Sequence, residues 1–158
     1  MIEVKVNGMA EIQQAMHNLT LTLSPHRMQK VYQRIGEHLT ATTKQRFHDS
    51  VDPDGNKWAA NAQSTITATL LKKRESNKKP LIDSGQLRDS IRYQVFNEGL
   101  VIGTNRDFGN EGKQVSAAVH QFGSKNGNIP ARPFLGISHE DKRHILTDVM
   151  THLASAWQ

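Results

Sequence analysis

Cysteine is absent from this 158-residue chain, so no disulfide framework, thiolate metal site or cysteine nucleophile can be built. That fits a reducing compartment. Aromatic residues make up only 6% of the chain and hydrophobic residues 36%. A modest core is therefore expected, with partner subunits supplying part of the stability. No apolar run approaches the roughly 18 residues of a membrane span. The opening MIEVKVNG has no basic stretch followed by an apolar one, so neither a secretory leader nor membrane insertion is expected.

Catalytic signatures are missing too. There is no Gly-rich phosphate loop and no Gly-x-Ser-x-Gly elbow. His139-Glu140 followed by His144 resembles a zinc motif, but a zinc pair needs histidines four apart on one helical face. One residue further places the second about 140° round the helix. Asp52 and Asp54 before Gly55 lack the remaining ligands of a calcium loop and are expected to bond local backbone instead. The chain is thus expected to be no enzyme, with no cofactor, metal or small-molecule substrate.

What is present is basic. The formal net charge is +5 and the pI is near 9.6. The densest cluster is Lys72, Lys73 and Arg74 followed by Lys78 and Lys79. It reads either as a solvated loop or as a docking site for DNA or an acidic partner. A basic nucleic-acid-binding domain is the alternative function this leaves open, although no zinc-finger, RNA-motif or zipper signature supports it.

Local patterns outline a single domain over residues 1–158. Ile2, Val4 and Val6 alternate with polar residues as a half-buried strand does. Met9, Ile12, Met16 and Leu19 form a helical stripe. Ser24-Pro25 opens a longer helix, with serine as its cap, carrying Met28, Val31, Tyr32, Ile35, Leu39 and Phe47. Continuous to His48, it would be about 36 Å long. Asp52-Pro53-Asp54-Gly55 is a turn, and Trp58 after it either pins the loop to the core or anchors an interface. A weaker helix is expected from Ser64 to Arg74, and a capped helical turn at Asp83–Arg88. Residues 91–103 read as a β-hairpin turning at Asn97-Glu98-Gly99. A long loop is expected from Asn105 to Lys113, and AAVHQFG (117–123) is either a helical turn or an edge strand. The prolines of IPARPFLG (129–136) exclude a helix interior and point to an extended edge. Ser138 can cap a last helix with Ile145, Leu146, Val149, Leu153 and Trp157 on its apolar face. The fold class is α+β: long helices packed on a small, mostly antiparallel sheet containing a hairpin.

Several of these segments, in order, resemble the phage virion morphogenesis family, the tail completion proteins of Mu-like contractile-tailed phages. Arg46-Phe47 with Pro53-Asp54-Gly55 and Trp58 resembles its "RF…PDG..W" opening. Leu81–Leu87 with Ser90-Ile91 is similar to "LL.TG.LR.SI", with serine for threonine, and Ile102–Asn105 to "vGTn". Val119–Gly123 resembles "iHQfG", and Ile129–Gly136 resembles "IPARPFLG". The family's Tyr-Ala pair after the GTN strand is replaced here by Phe108-Gly109 and a longer polar insertion.

The resemblance implies a structural virion protein at the head–tail junction, made in the host bacterial cytoplasm. It implies a ring, commonly hexameric, that meets tail-tube and neck or connector proteins and has incidental contact with DNA passing through a channel. A ring needs heterologous interfaces, which favour aromatic and arginine anchors. Arg132, Phe134 and Leu135 are therefore candidates, with His120 and Gln121 expected to hydrogen-bond them, and Trp58 is a further candidate interface residue. The alternative is that Phe134 and Leu135 are core and Arg132 forms a surface salt bridge.

Overall fold

Residues 9–71, 79–82, 84–104, 107–108 and 115–155 are described by the computed structural model of the chain. The helix opened by Ser24-Pro25 runs Pro25–Asp49 (here α2) and buries Met28, Val31, Ile35, Gly36, Leu39, Thr43, Arg46 and Phe47. Steps of three and four keep these on one stripe. Ser24 sits at the N-cap position but its side chain makes no capping bond, so the proline's fixed φ opens the helix instead. At the far end Ser50 turns left-handed (φ 55°). The ammonium groups of Lys57 and Lys79 donate to the free carbonyls of Asp49 and His48 at 2.8 and 2.9 Å, where the helix dipole favours cations.

The hairpin forms as expected. Arg92–Phe96 (β1) pairs antiparallel with Gly99–Gly103 (β2), Tyr93 opposite Ile102 and Val95 opposite Leu100. Those four half-buried side chains share the face that packs on α2, as the period of two requires. Gly36 permits the close approach: a Cβ there would run into the Tyr93 ring. The last helix, His139–Ala154 (α6), runs antiparallel to α2. His38 meets Asp141, Arg34 meets Asp148, and His152 reaches the Thr22 carbonyl.

Two clusters make the core. Met28, Val31, Ile35 and Leu39 of α2 gather Tyr32, Leu100, Ile102, Ile145 and Val149. Phe47, Trp58, Leu87, Ile91 and Phe134 form the second. Phe47 is edge-on to Trp58 at 5.4 Å and tilted against Phe134 at 5.3 Å between centroids, separations favourable for aromatic pairs.

Several expectations need correction. Met9–Thr22 is a helix (α1), but two residues of its apolar stripe are not core: Ile12 and Met16 are 51% and 64% exposed, while Leu19 is half-buried. Leu146 on α6 is 62% exposed, because it lies about 100° from Ile145 and α2 covers only the Ile145 side. The weak helix begins one residue earlier and is described over Gln63–Leu71 (α3); residues 72–74 of the expected span lie outside the described residues. The turn near residue 86 is a single helical turn, Gln86–Asp89 (α4), with left-handed Gly85 at its start and no side-chain cap. Within the expected 105–113 loop, Asp107–Phe108 (β3) pairs with Val115–Ser116 (β4). AAVHQF takes the helical option, Ala117–Phe122 (α5). The expected strand at 2–6, Asp83 and Trp157 lie outside the described residues. No described helix is long and apolar enough to cross a membrane. The α+β class holds, with helices around the β1–β2 hairpin.

Candidate functional site

The segment 129–136 is not the edge of a sheet. It is extended chain with Arg132 and Phe134 buried, and it is held mostly by side chains from elsewhere in the sequence. Arg46 on α2 donates to the carbonyls of Phe134 (3.2 Å) and Gly136 (2.8 Å). Its other amino group is bonded to the Asp141 carboxylate on α6. Gln121 on α5 accepts from the backbone N–H groups of Phe134 and Leu135, both at 3.0 Å, and donates to the Leu135 carbonyl at 2.9 Å. The Trp58 indole N–H donates to the Pro133 carbonyl at 2.9 Å. Arg132 sends its guanidinium back to the carbonyls of Ala59 and Ala60 at 2.9 and 2.8 Å, while its backbone N–H donates to the His120 carbonyl at 2.7 Å. Pro53 completes the ring of contacts: a Cβ on Gly136 would sit 2.5 Å from its Cγ.

Proline explains why side chains do this work. Pro130 and Pro133 lack N–H donors and bar the segment from a regular ladder. A buried backbone still has to satisfy its remaining polar groups, and Gln121, Arg46 and Trp58 supply the partners.

The electrostatics follow from burial. Asp141 is fully buried. Desolvation opposes its charge, but bonds from the Ser138 backbone and hydroxyl, from Thr42, and the Arg46 charge outweigh it and hold the carboxyl below its ordinary value. Asp141 and Ser138 also form a reciprocal capping box at the start of α6, as serine in that place implies. Burial, then the Arg132 charge, pushes the His120 imidazole down. Its Nδ1 has no hydrogen-bond partner among the described residues. Arg132 is lowered by burial alone. Asp52 makes the expected local bonds, accepting from the Asp54 and Asn56 backbone at 2.9 and 2.8 Å, so it is used in the turn.

Arg132, Phe134, Leu135, His120, Gln121 and Trp58 are therefore brought together. Phe134 and Trp58, 1% and 7% exposed, sit in the subunit's own core rather than on its surface. Among the described residues Arg132 forms no surface salt bridge; it is buried and clamps the 59–60 backbone. Gln121 bonds the segment through its side chain, His120 only through its backbone carbonyl. Of the basic cluster, Lys79 is tied to the end of α2, and Lys72, Lys73, Arg74 and Lys78 lie outside the described residues. Sequence reasoning missed Phe122, which is 79% exposed beside this buried network, and the Arg46–Asp141 pair. An arginine on the apolar stripe of α2 was the available signal for the pair. No group of residues able to hold a metal occurs among the described residues.

The sequence model of the phage virion morphogenesis family matches residues 8–154. This chain belongs to the phage virion morphogenesis family. It is 30% identical over 157 residues, 96% of each chain, to Mu-like prophage FluMu G protein 2 of Haemophilus influenzae. No solved structure matches it. The segments that resemble motifs of the virion morphogenesis family are distant in sequence, yet they meet in this one network. Arg46-Phe47, the Pro53–Trp58 turn, Leu87 and Ile91, Gln121 and residues 129–136 all touch it or the aromatic cluster beneath it.

Proposed function

We propose that this chain is a structural subunit of the head–tail junction, a tail completion or neck protein that lets a finished tail join the head. It acts as a ring, hexameric to match a tail tube, between tail-tube and connector proteins. It resides in the virion after synthesis in the host bacterial cytoplasm, and DNA passing through the ring's channel meets it incidentally. The observation that carries this reading is the convergence of the family's segments on a network whose polar groups bind backbone. Arg132, Gln121 and Trp58 direct their side-chain bonds to main-chain carbonyls and N–H groups, and Arg46 joins two carbonyls to the Asp141 carboxylate, which makes a rigid framework. Contact surface is left to exposed neighbours such as Phe122 and Ile137, and a large exposed aromatic is the side chain most able to anchor a partner.

Phage carrying Phe122→Asp tests this. The exchange leaves the buried network intact, so the protein should accumulate normally. Electron microscopy should then show full heads and separate tails. Intact, infectious particles would remove Phe122 as an anchor, and intact particles from phage lacking the protein altogether would overturn the junction reading.

A further inference from the structure

The joint between α2 and α6 holds two imidazoles face to face. His38 of α2 and His144 of α6 stack with ring centroids 3.8 Å apart and planes 9° from parallel. Each ring has a carboxylate of α6 at its edge. His38 Nε2 lies 2.9 Å from Oδ1 of the buried Asp141, and because a carboxylate only accepts, that nitrogen carries a hydrogen. His144 Nδ1 lies 3.6 Å from Oδ2 of Asp148. That oxygen is buried and has no hydrogen-bond partner among the described residues.

Charge decides what the stack can hold. Two arginines of α2 already face the same carboxylates: Arg46 is bonded to Asp141, and Arg34 lies 3.5 Å from Asp148. The neighbouring Glu37, Glu140, Lys142 and Arg143 are exposed, where water and salt screen them. With both imidazoles neutral, two cations balance two anions. A first proton, on His144 Nδ1, points a charged donor at the open Asp148 oxygen and leaves the other ring neutral. A second proton finds no unbalanced carboxylate. It sets two imidazolium rings against each other at stacking distance, beside two guanidinium groups, and like charges this close oppose one another. Modest apolar packing holds the helix against that repulsion, since α6 gives the core Ile145 and Val149, both half-buried.

We propose that the His38–His144 stack is a proton-operated latch: with one proton α6 stays docked on α2, and the second proton releases it. Histidine makes such a device work in mildly acidic solution. Release uncovers Ile145 and Val149 next to Leu146 and Met150, which are already 62% and 63% exposed. Together these four span an arc of about 140° on the helix, so the freed α6 has a broad apolar side. The latch does not depend on the junction reading, and it is measured on the purified chain without phage particles.

Amide hydrogen exchange of the full chain reads the release, as protection factors corrected for the intrinsic effect of pH. Between pH 7.5 and pH 5, protection at residues 145–149 should fall about tenfold or more while β1 and β2 keep theirs, the mark of local opening. His144→Gln should abolish that fall. Both chains keep His120, so its own pH dependence cancels in the comparison. The ring-nitrogen chemical shifts of the unaltered chain report the protons themselves and require no variant: the two rings should charge in two separate steps, as coupled sites do. Protection of α6 that is the same at both pH values, or that falls equally in His144→Gln, would overturn the latch. So would both rings charging together in one step.

Discussion

Arg46 and Asp141, on helices far apart in sequence, form a buried ion pair, and the same guanidinium grips the carbonyls of Phe134 and Gly136. One side chain thus joins α2, α6 and the proline-rich segment. Taking a charge out of water costs several kcal/mol, recovered only with good geometry and further hydrogen bonds. Both partners have those bonds here.

Removing one partner should therefore be far worse than its area suggests. Arg46→Met leaves Asp141 buried without its cation and two carbonyls without their donor. We predict a loss of about 3–5 kcal/mol, read as a lower urea midpoint. A loss under about 1 kcal/mol, the usual worth of an exposed pair, would show that the pair is not the tie.

Acid should act through the same carboxylate. The folded pKa of Asp141 lies below its ordinary 3.8, so the unfolded chain takes up its proton first as pH falls. Its stabilisation is complete above the unfolded value and is lost as pH drops through the folded one. We predict that Asp141→Asn is less stable at neutral pH and that its deficit shrinks below about pH 4. Chemical denaturation at pH 3 and pH 7 gives the comparison; a constant deficit would contradict it.

His120 adds a milder pH dependence in another window. Burial and Arg132 depress its folded pKa from 6.5, so below that value the unfolded chain protonates while the folded one resists. Stability from this residue is present at higher pH and declines as pH falls from about 6.5 towards the folded value. His120→Asn should flatten the unfolding midpoint between pH 7 and pH 5. An unchanged slope would mean that His120 does not set it.

The aromatic cluster should separate packing from hydrogen bonding. Trp58→Phe keeps most of the ring but removes the bond to Pro133, a cost of about 1 kcal/mol. Phe134→Ala empties a fully buried site and should cost about 3–5 kcal/mol. Similar losses for the two, measured by denaturant unfolding, would show that the indole bond matters more than volume.

Gly36 should tolerate nothing larger. Gly36→Ala gains helix propensity but drives a methyl into Tyr93, and overpacking of this kind costs about 1–3 kcal/mol. Tyr93→Ala in the same chain should recover part of the loss. Net stabilisation of the single variant would show that the hairpin shifts freely on α2.

Periodicity made α2, the hairpin and the capped start of α6 legible in the sequence, because steps of three or four and of two, with proline and serine at the ends, are local properties. Composition and spacing set aside disulfides and the familiar catalytic motifs, and the ordered segments pointed to the family. Only tertiary structure decided which apolar residues are core. Ile12, Met16 and Leu146 obey the same helical rule as Val31 and Ile35, yet the first three are exposed because no other described element covers them. It also decided that Phe134 and Arg132 face inward, since that depends on Arg46, Gln121 and Trp58 arriving from three other segments to satisfy a backbone that prolines bar from any ladder. A sequence states which groups need partners; the fold determines where those partners are.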